Sequence, residues 1–485
     1  MKHALFIRGS FLGLTLGGVV WSAQAKDSPN ILFIIADDAS RHFGQAYDCD
    51  WVRTPNIDKL AEEGVVFDNA YVATAKCAPC RASTMTGRFP WQIEAGANHQ
   101  NVFPHNYPAF GEVLRAAGIQ TGSVGKTWGP GTAHHADGSP RDFGLTVIST
   151  KRVPEDHFGK FLEARDEDAP PFFYWHGSSD PHRGYEKNAG INAGKKLSDI
   201  DHVPSYWPDS DVVRGDMLDY SMEVERFDSH VGELLADLEA SGEAEDTLVI
   251  VTSDHGMPFP RVKGHTFDDA HRVPLVMRWP RGIKNPGRRI EDLVSFVDFA
   301  ATFIDLQEGD AEAMAMELSG RSMADLLNDA PDYKREYVLI GRERNDVYAR
   351  PGSPSGQGYP ARGIRMGDYL YVHNFEPDRW PCGNIELGLK DTDKSPTKSL
   401  IMEMNMKTVF WKHNFGKRPA DMLFNVVEDP DCVTNIAEFD GRGDLVKKMK
   451  RRMMKELRLQ GDPRALGNGE VFDNYPTVKP APRDW

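Results

Sequence analysis

From Asn30 to about Leu306, short apolar runs alternate with amphipathic stretches. The runs ILFIIA (31–36), IQTGSV (119–124), FFYWHG (172–177), TLVIVT (247–252) and PLVMRW (274–279) read as buried strands. Between them, TPNIDKLAEEG puts Ile57, Leu60 and Ala61 on one helical face, with Gly64 as a stop. The longest helical pattern, LDYSMEVERFDSHVGELLADLEASG, brings Leu218, Met222, Val224, Val231, Leu234, Leu235 and Leu238 near helical spacing. Strands alternating with helices predict an α/β fold over residues 26–335, a large, mostly parallel sheet flanked by helices. After about residue 335 the texture changes. EYVLIG, ARGIRMGDYLYVHNF and DMLFNVV predict a smaller antiparallel sheet, and GDLVKKMKRRMMKELRLQG one basic helix packed on it, so residues 336–485 form a second unit. The Gly- and Pro-rich loop RPGSPSGQGYPARG (350–363) is placed to close over a pocket.

The first 25 residues change the picture of location. Lys2, His3 and Arg8 precede an apolar stretch from Phe11 to Val20 and a small-residue cleavage site at Ala23-Gln24-Ala25, the layout of a secretory signal peptide. The apolar core falls short of the roughly 20 residues of a membrane span. The expectation is a periplasmic or secreted protein with no membrane span. Losing Lys2 and Arg8 takes the formal charge from −15 to −15 − 2 = −17. Such an acidic chain argues against a nucleic-acid partner, which would call for a basic surplus or stripe. The five cysteines are an odd number, which points to one outside any disulfide scheme.

In open parallel sheets, ligands collect at the carboxyl ends of the strands. Here ILFIIA ends in Asp37-Asp38, IQTGSV runs into Gly125-Lys126, FFYWHG is followed by Asp180-Pro181-His182-Arg183, and TLVIVT by Ser253-Asp254-His255-Gly256. Two adjacent carboxylates and a third from a distant strand suit a hard divalent cation. His255 is less usual for calcium, because imidazole suits softer metals. The stretch CAPCRAS (77–83) looks like the start of a helix, with Pro79 in its first turn. Cys77 would then meet unpaired N–H groups at the positive end of the helix dipole, with Arg81 one turn on, forked toward sulfate or phosphate oxygens. A redox dithiol would need a small βαβ unit around the two cysteines, and zinc a second cysteine pair with ligand spacing.

With CAPCRASTMTGR from Cys77 to Arg88, the chain resembles the formylglycine-dependent (type I) sulfatases of the alkaline-phosphatase superfamily, whose hallmark is C-x-P-x-R followed by T-G-R or T-G-K. NILFIIADD, GKTWG, DPHR, TLVIVTSDHG and FNVVEDPDCVTNIA carry the resemblance along most of the chain. It implies that Cys77 is oxidised to formylglycine by a separate formylglycine-generating enzyme, for which C-x-P-x-R is the label. It implies that Asp37, Asp38, Asp254 and His255, with the group at Cys77, hold one Ca2+. Arg81, Lys126, His182 and Lys263 then look like the residues around formylglycine and sulfate, with His182 or Lys263 protonating the leaving alcohol. One departure stands out: Trp128 occupies the place of the histidine usual two residues after the G-K lysine, and His134 and His135 are candidates to replace it. Cys80 reads as a buried spacer.

DPHR and SDHGMPFPRVKGH resemble the branch of heparan N-sulfatases and of bacterial sulfatases acting on carrageenans. The expected reaction is hydrolysis of sulfate esters on a sulfated oligo- or polysaccharide, an algal galactan such as carrageenan or a glycosaminoglycan-like chain. Arg183, His271 and Arg272 are candidate substrate contacts, together with His265, and Trp128 and Trp380 could stack on sugar rings. Two other readings compete. A phosphodiesterase or phosphonate hydrolase on the same fold would need a second metal with extra histidines, and no H-x-x-x-H cluster follows Asp254. A non-catalytic sulfated-glycan binding protein would keep Cys77 as a thiol.

Overall fold

The computed structural model describes residues 28–150, 156–166, 168–328, 333–352 and 356–478, so the predicted signal peptide lies outside the described residues. The main sheet is built from β1 (Asn30–Ala36), β2 (Val65–Tyr71), β3 (Gln120–Gly125), β4 (Val147–Ser149), β5 (Phe172–Gly177), β6 (Thr247–Ser253), β7 (Leu275–Arg278) and β8 (Arg288–Ser295). Their order is β8-β2-β7-β6-β1-β5-β3-β4, with the short Arg272–Val273 strand paired to β2. The strands whose ends carry the ionisable residues, β6, β1, β5 and β3, are four parallel neighbours in the middle of the sheet.

Period-two alternation in β1 separates two cores. Leu32, Ile34 and Ala36 face one cluster with Val224, Phe227, Val231 and Leu234 of the helix over Asp211–Ser241. Ile31, Phe33 and Ile35 face another with Phe299 and Phe303 of the helix over Asp298–Leu306. Phe33 contacts Trp175 and Phe299 at centroid distances of 4.6 and 5.2 Å. Emptying such a site, as in Phe33→Ala, costs about 3–5 kcal/mol.

Two features of this sheet add to the expectation of a mostly parallel sheet. β7, read from PLVMRW, runs antiparallel between β6 and β2. β2 and β8 carry polar residues inside the strand, so no clean apolar run marks them: Asp68 of β2 pairs with Arg41 and Arg289, and β8 is broken by a register shift between Ile290 and Leu293. The small sheet is antiparallel and joins Tyr337–Arg342, Ala361–Met366, Tyr369–Asn374 and Asp421–Asn425 in that order. The basic helix, Gly443–Leu459, lays Met449, Met453 and Leu457 on Leu339, Ile364, Tyr371 and Leu423 of that sheet. Among the described residues no helix is long and apolar enough to cross a membrane.

None of the five cysteines is in a disulfide. The disulfide arithmetic therefore does not single out Cys77, because there is no pairing scheme for it to be left out of.

Candidate active site

Backbone hydrogen bonds hold the strand ends together before any side chain is considered. The Asp37 N–H donates to the Asp180 carbonyl at 3.0 Å, and the Asp254 N–H to the Ala36 carbonyl at 3.3 Å. Asp38 takes a left-handed conformation (φ 77°), tolerable for Asp, and its N–H donates to Asp254 Oδ1 at 3.1 Å. The β3 end comes so close to β5 that a Cβ on Gly177 would lie 2.0 Å from the Lys126 carbonyl oxygen, so only glycine fits there.

CAPCRAS opens the helix Cys77–Thr86. Lys76 is its extended N-cap, Cys77 its first residue, and Pro79 lies in the first turn, where a missing N–H costs nothing. Gly87, with φ 64°, ends it. Cys77 Sγ lies 3.3 Å from His255 Nε2 and 3.9 Å from Asp38 Oδ1. Two sets of donor atoms, Asp38–Cys77–His255 and Asp37–Cys77–Asp254, each lie within 4.8 Å of one another and share this sulfur. His255 Nδ1 is 2.9 Å from the Gly256 carbonyl, which can only accept. That keeps a proton on Nδ1 and makes Nε2 the nitrogen available to the cluster.

Around these donors sits a shell of buried cations. Arg81, with no exposed surface, donates Nε to Asp254 Oδ2 at 2.9 Å, reaches Asp37 at 3.4 Å and caps the Lys126 carbonyl. Lys126 Nζ contacts both Asp37 oxygens at 2.6 and 2.7 Å. Lys263 Nζ lies between Asp38 Oδ2 at 2.6 Å and Asp393 Oδ2 at 3.0 Å. Burial alone would push the Asp37 carboxyl up, but Lys126 and Arg81 hold it well below the usual range. Burial would likewise raise the Cys77 thiol, yet Lys126, Lys263 and His255 hold it well below its ordinary value. The pocket is therefore arranged to hold negative charge at position 77.

His182 stands at the edge, its side chain 35% exposed, with Nε2 3.9 Å from Asp38 Oδ2. Its Nδ1 lies 3.1 Å from the Arg183 carbonyl, so the proton sits on Nδ1 and Nε2 faces the cluster.

The expected substrate contacts are engaged elsewhere. The Arg183 guanidinium forks onto Asp216 at 2.8 and 3.0 Å. His271 is fully buried against the Val72 carbonyl, and Arg272 donates to the Asp68 carbonyl and approaches Asp268. Among the described residues none of these three side chains makes a hydrogen bond or ion pair to the cluster. His265 is buried between Arg342 and Arg418. His134 and His135 are exposed. Trp128 does reach the site, through its scaffold: Nε1 donates to the Ala78 carbonyl at 3.1 Å, and the ring packs on Phe103 and Phe143. Cys80 is fully buried, and burial raises its thiol well above its ordinary value.

Sequence reading missed a second layer. Lys76 Nζ pairs with Asp346 at 3.0 Å, and His99 Nδ1 lies 3.2 Å from the same carboxylate. Asp346 follows the first strand of the small sheet and Asp393 lies between its last two strands, so that unit completes the pocket. Lys76, adjoining Cys77, could have been found. Nothing in the spacing around Asp346 or Asp393 marks them.

A profile of the sulfatase family matches residues 29–309. A second, for the C-terminal region of N-sulphoglucosamine sulphohydrolase, matches residues 261–380. The chain is similar to an ulvan-active sulfatase of Formosa agariphila, 24% identical over 506 residues that take in 93% of this chain and 78% of the relative. It is also similar to N-sulphoglucosamine sulphohydrolase of Homo sapiens, 29% identical over 385 residues, 71% of this chain and 73% of the relative. The fold is shared with the crystal structure of a phosphonate monoester hydrolase of Agrobacterium radiobacter, at 19% identity and a TM-score of 0.63 over 89% of this chain and 96% of that one.

Proposed function

Because the chain belongs to the sulfatase family, and is thus a sulfuric ester hydrolase, we propose that it removes sulfate from sulfated carbohydrate with a nucleophile made from Cys77. The observation that carries this reading is the position of Cys77 Sγ: buried, at a helix N-terminus, and shared by both donor sets. CAPCR is the label read by a formylglycine-generating enzyme. Formylglycine, if installed at position 77, would as its hydrate supply one hydroxyl as the nucleophile and a second through which sulfate could be released.

The donor set fits one divalent cation, calcium by the resemblance. Asp37, Asp38, Asp254, His255 and the oxygen replacing Sγ would hold it, and it would supply positive charge beside the nucleophile. The fit rests on three buried carboxylates and on His255 Nε2, which the Nδ1 contact to the Gly256 carbonyl turns inward.

The chain's own groups do the rest. Arg81 ties Asp254, Asp37 and the Lys126 carbonyl into one rigid frame, fixing the donors and the β3 end together. Lys126 and Lys263 place ammonium groups where sulfate oxygens gain charge in the transition state. Burial would lower the Lys263 ammonium, but Asp38 and Asp393 raise it well above its ordinary range, so it stays charged and serves as an electrostatic clamp. His182, at the open side with Nε2 inward, is the better placed donor for the leaving alcohol, a role it performs as the imidazolium with both nitrogens protonated.

The names of the relatives suggest ulvan or glycosaminoglycan-like oligosaccharides, and the sequence resemblance adds carrageenan-type galactans; the signal-peptide pattern suggests that they are met in the periplasm or outside the cell. The test is sulfate release from each of these by protein made together with the modifying enzyme. Phosphonate hydrolysis is the second reading, favoured by the shared fold and by His255. Against it, the two donor sets found among the described residues share one sulfur and so describe one site. Phosphonate turnover exceeding sulfate turnover would reverse the order.

A further inference from the structure

The rim of the pocket is acidic where an enzyme for polyanions would be expected to be basic. Lys76, Lys126 and Lys263 are nearly enclosed, with side-chain exposures of 3%, 6% and 5%. The more accessible groups beside them are half-buried: His182 (35%), Asp393 (27%) and Asp346 (23%). They are electrostatic neighbours. Lys263, Lys76 and His182 all act on Asp393, and Asp393 acts on Asp346. Beyond its ion pair with Lys263, Asp393 Oδ2 accepts no hydrogen bond among the described residues.

Counting charges sharpens the point. Arg81, Lys76, Lys126 and Lys263 carry four positive charges, and Asp37, Asp38, Asp254, Asp346 and Asp393 five negative ones, leaving 4 − 5 = −1 with the imidazoles neutral. One divalent cation brings the pocket to +1, and one sulfate monoester, itself −1, neutralises it. A second anion on the same sugar would add a negative charge beside Asp346 and Asp393, whose own charges already take up those of Lys76 and Lys263. A hydroxyl in the same position would donate to them. The acidic chain as a whole adds long-range repulsion of polyanions.

Building on the sulfatase reading, we propose that Asp346 and Asp393 determine specificity: they select a sugar bearing a single sulfate flanked by free hydroxyls, and reject one with a second sulfate or a carboxylate beside it.

Calorimetric binding to the Cys77→Ala protein loaded with calcium tests this without turnover, using a monosulfated amino sugar and its disulfated counterpart. The monosulfate binds at least about tenfold more tightly, the effect of one unfavourable contact of 1.4 kcal/mol. In Asp346→Asn and in Asp393→Asn, made separately, the preference shrinks severalfold. Equal binding of the two sugars to the parent, or full preference in both variants, overturns the proposal. A carboxylate that only holds its lysine would change both affinities by the same factor and leave their ratio intact. Failure of both sugars to bind the parent overturns the sulfate-ester reading itself, which tight monosulfate binding would keep.

Discussion

Trp128 Nε1 donates to the carbonyl oxygen of Ala78, the residue after Cys77 in the first turn of its helix. A side chain standing where sulfatases usually carry a histidine thus acts on the nucleophile's scaffold, wedged between Phe103 and Phe143 at 5.4 and 5.6 Å. Trp128→Phe keeps the apolar packing and removes the hydrogen bond, at a cost of about 1 kcal/mol in stability. We expect a lower unfolding midpoint and a less than about tenfold fall in kcat, because no proton passes through the indole. Trp128→His restores nothing. A large gain in kcat from that substitution would show that the usual proton path is still in place.

Cys80 and Cys77 are both buried on one helix, but their surroundings differ. Cys80 packs into the core with Ile35 and Met85, whereas Cys77 faces the ionic cluster. Cys80→Ala should keep sulfate release within about threefold and lose about 1 kcal/mol of stability to the small cavity. Loss of activity equal to that of Cys77→Ala would revive a dithiol chemistry. Kinetics and thermal unfolding on the same preparations separate the two.

If His182 protonates the leaving alcohol, its removal matters in proportion to the basicity of that group. His182→Ala should lower kcat/KM on a sugar sulfate by roughly 10²–10⁴-fold and on a nitrophenyl sulfate by less than about tenfold. Equal losses on both substrates would assign His182 to binding and would return the proton donor's role to Lys263.

The stability of the protein should fall in mild acid. Burial lowers His42 and His176 to about 4, and neither His42 Nδ1 nor His176 Nε2 has a hydrogen-bond partner among the described residues. The unfolded chain binds these protons near 6.5, so between about 6.5 and 4 the unfolded state holds more of them and folding weakens as pH drops. Each histidine contributes on the order of 1 kcal/mol per pH unit in that window. Asp269, raised by burial to about 6, acts in the opposite direction, so the variant comparison is the informative one. His42→Phe should flatten the slope of unfolding free energy against pH, measured in urea between pH 7 and 5. An unchanged slope would mean that the site takes up its proton without unfolding.

What the sequence made legible follows from where the chemistry sits. Asp37, Asp38, Lys126, Asp254 and His255 lie within two residues of strand ends, and a continuous buried run such as ILFIIA announces its own end. β2 and β8 escaped because Asp68 and Arg289 pair with each other across the outside of the sheet, which breaks the apolar text. Arg183, His271 and Arg272 looked available because sequence cannot tell a free guanidinium from one forked onto Asp216. Asp346 and Asp393 were invisible for the converse reason. They come from the small unit's loops and become neighbours of Lys76 and Lys263 only when the two sheets pack together.

The central claim is that the residue at position 77 is an aldehyde in the working enzyme. Trypsin cuts after Lys76 and Arg81 and releases Cys77–Arg81 as one peptide. Mass spectrometry of that peptide, on protein produced with the modifying enzyme and assayed in parallel, should show the loss of one sulfur and two hydrogens and the gain of one oxygen. The converted fraction should rise in proportion to sulfate release. Full activity from preparations in which Cys77 remains a thiol would contradict the account.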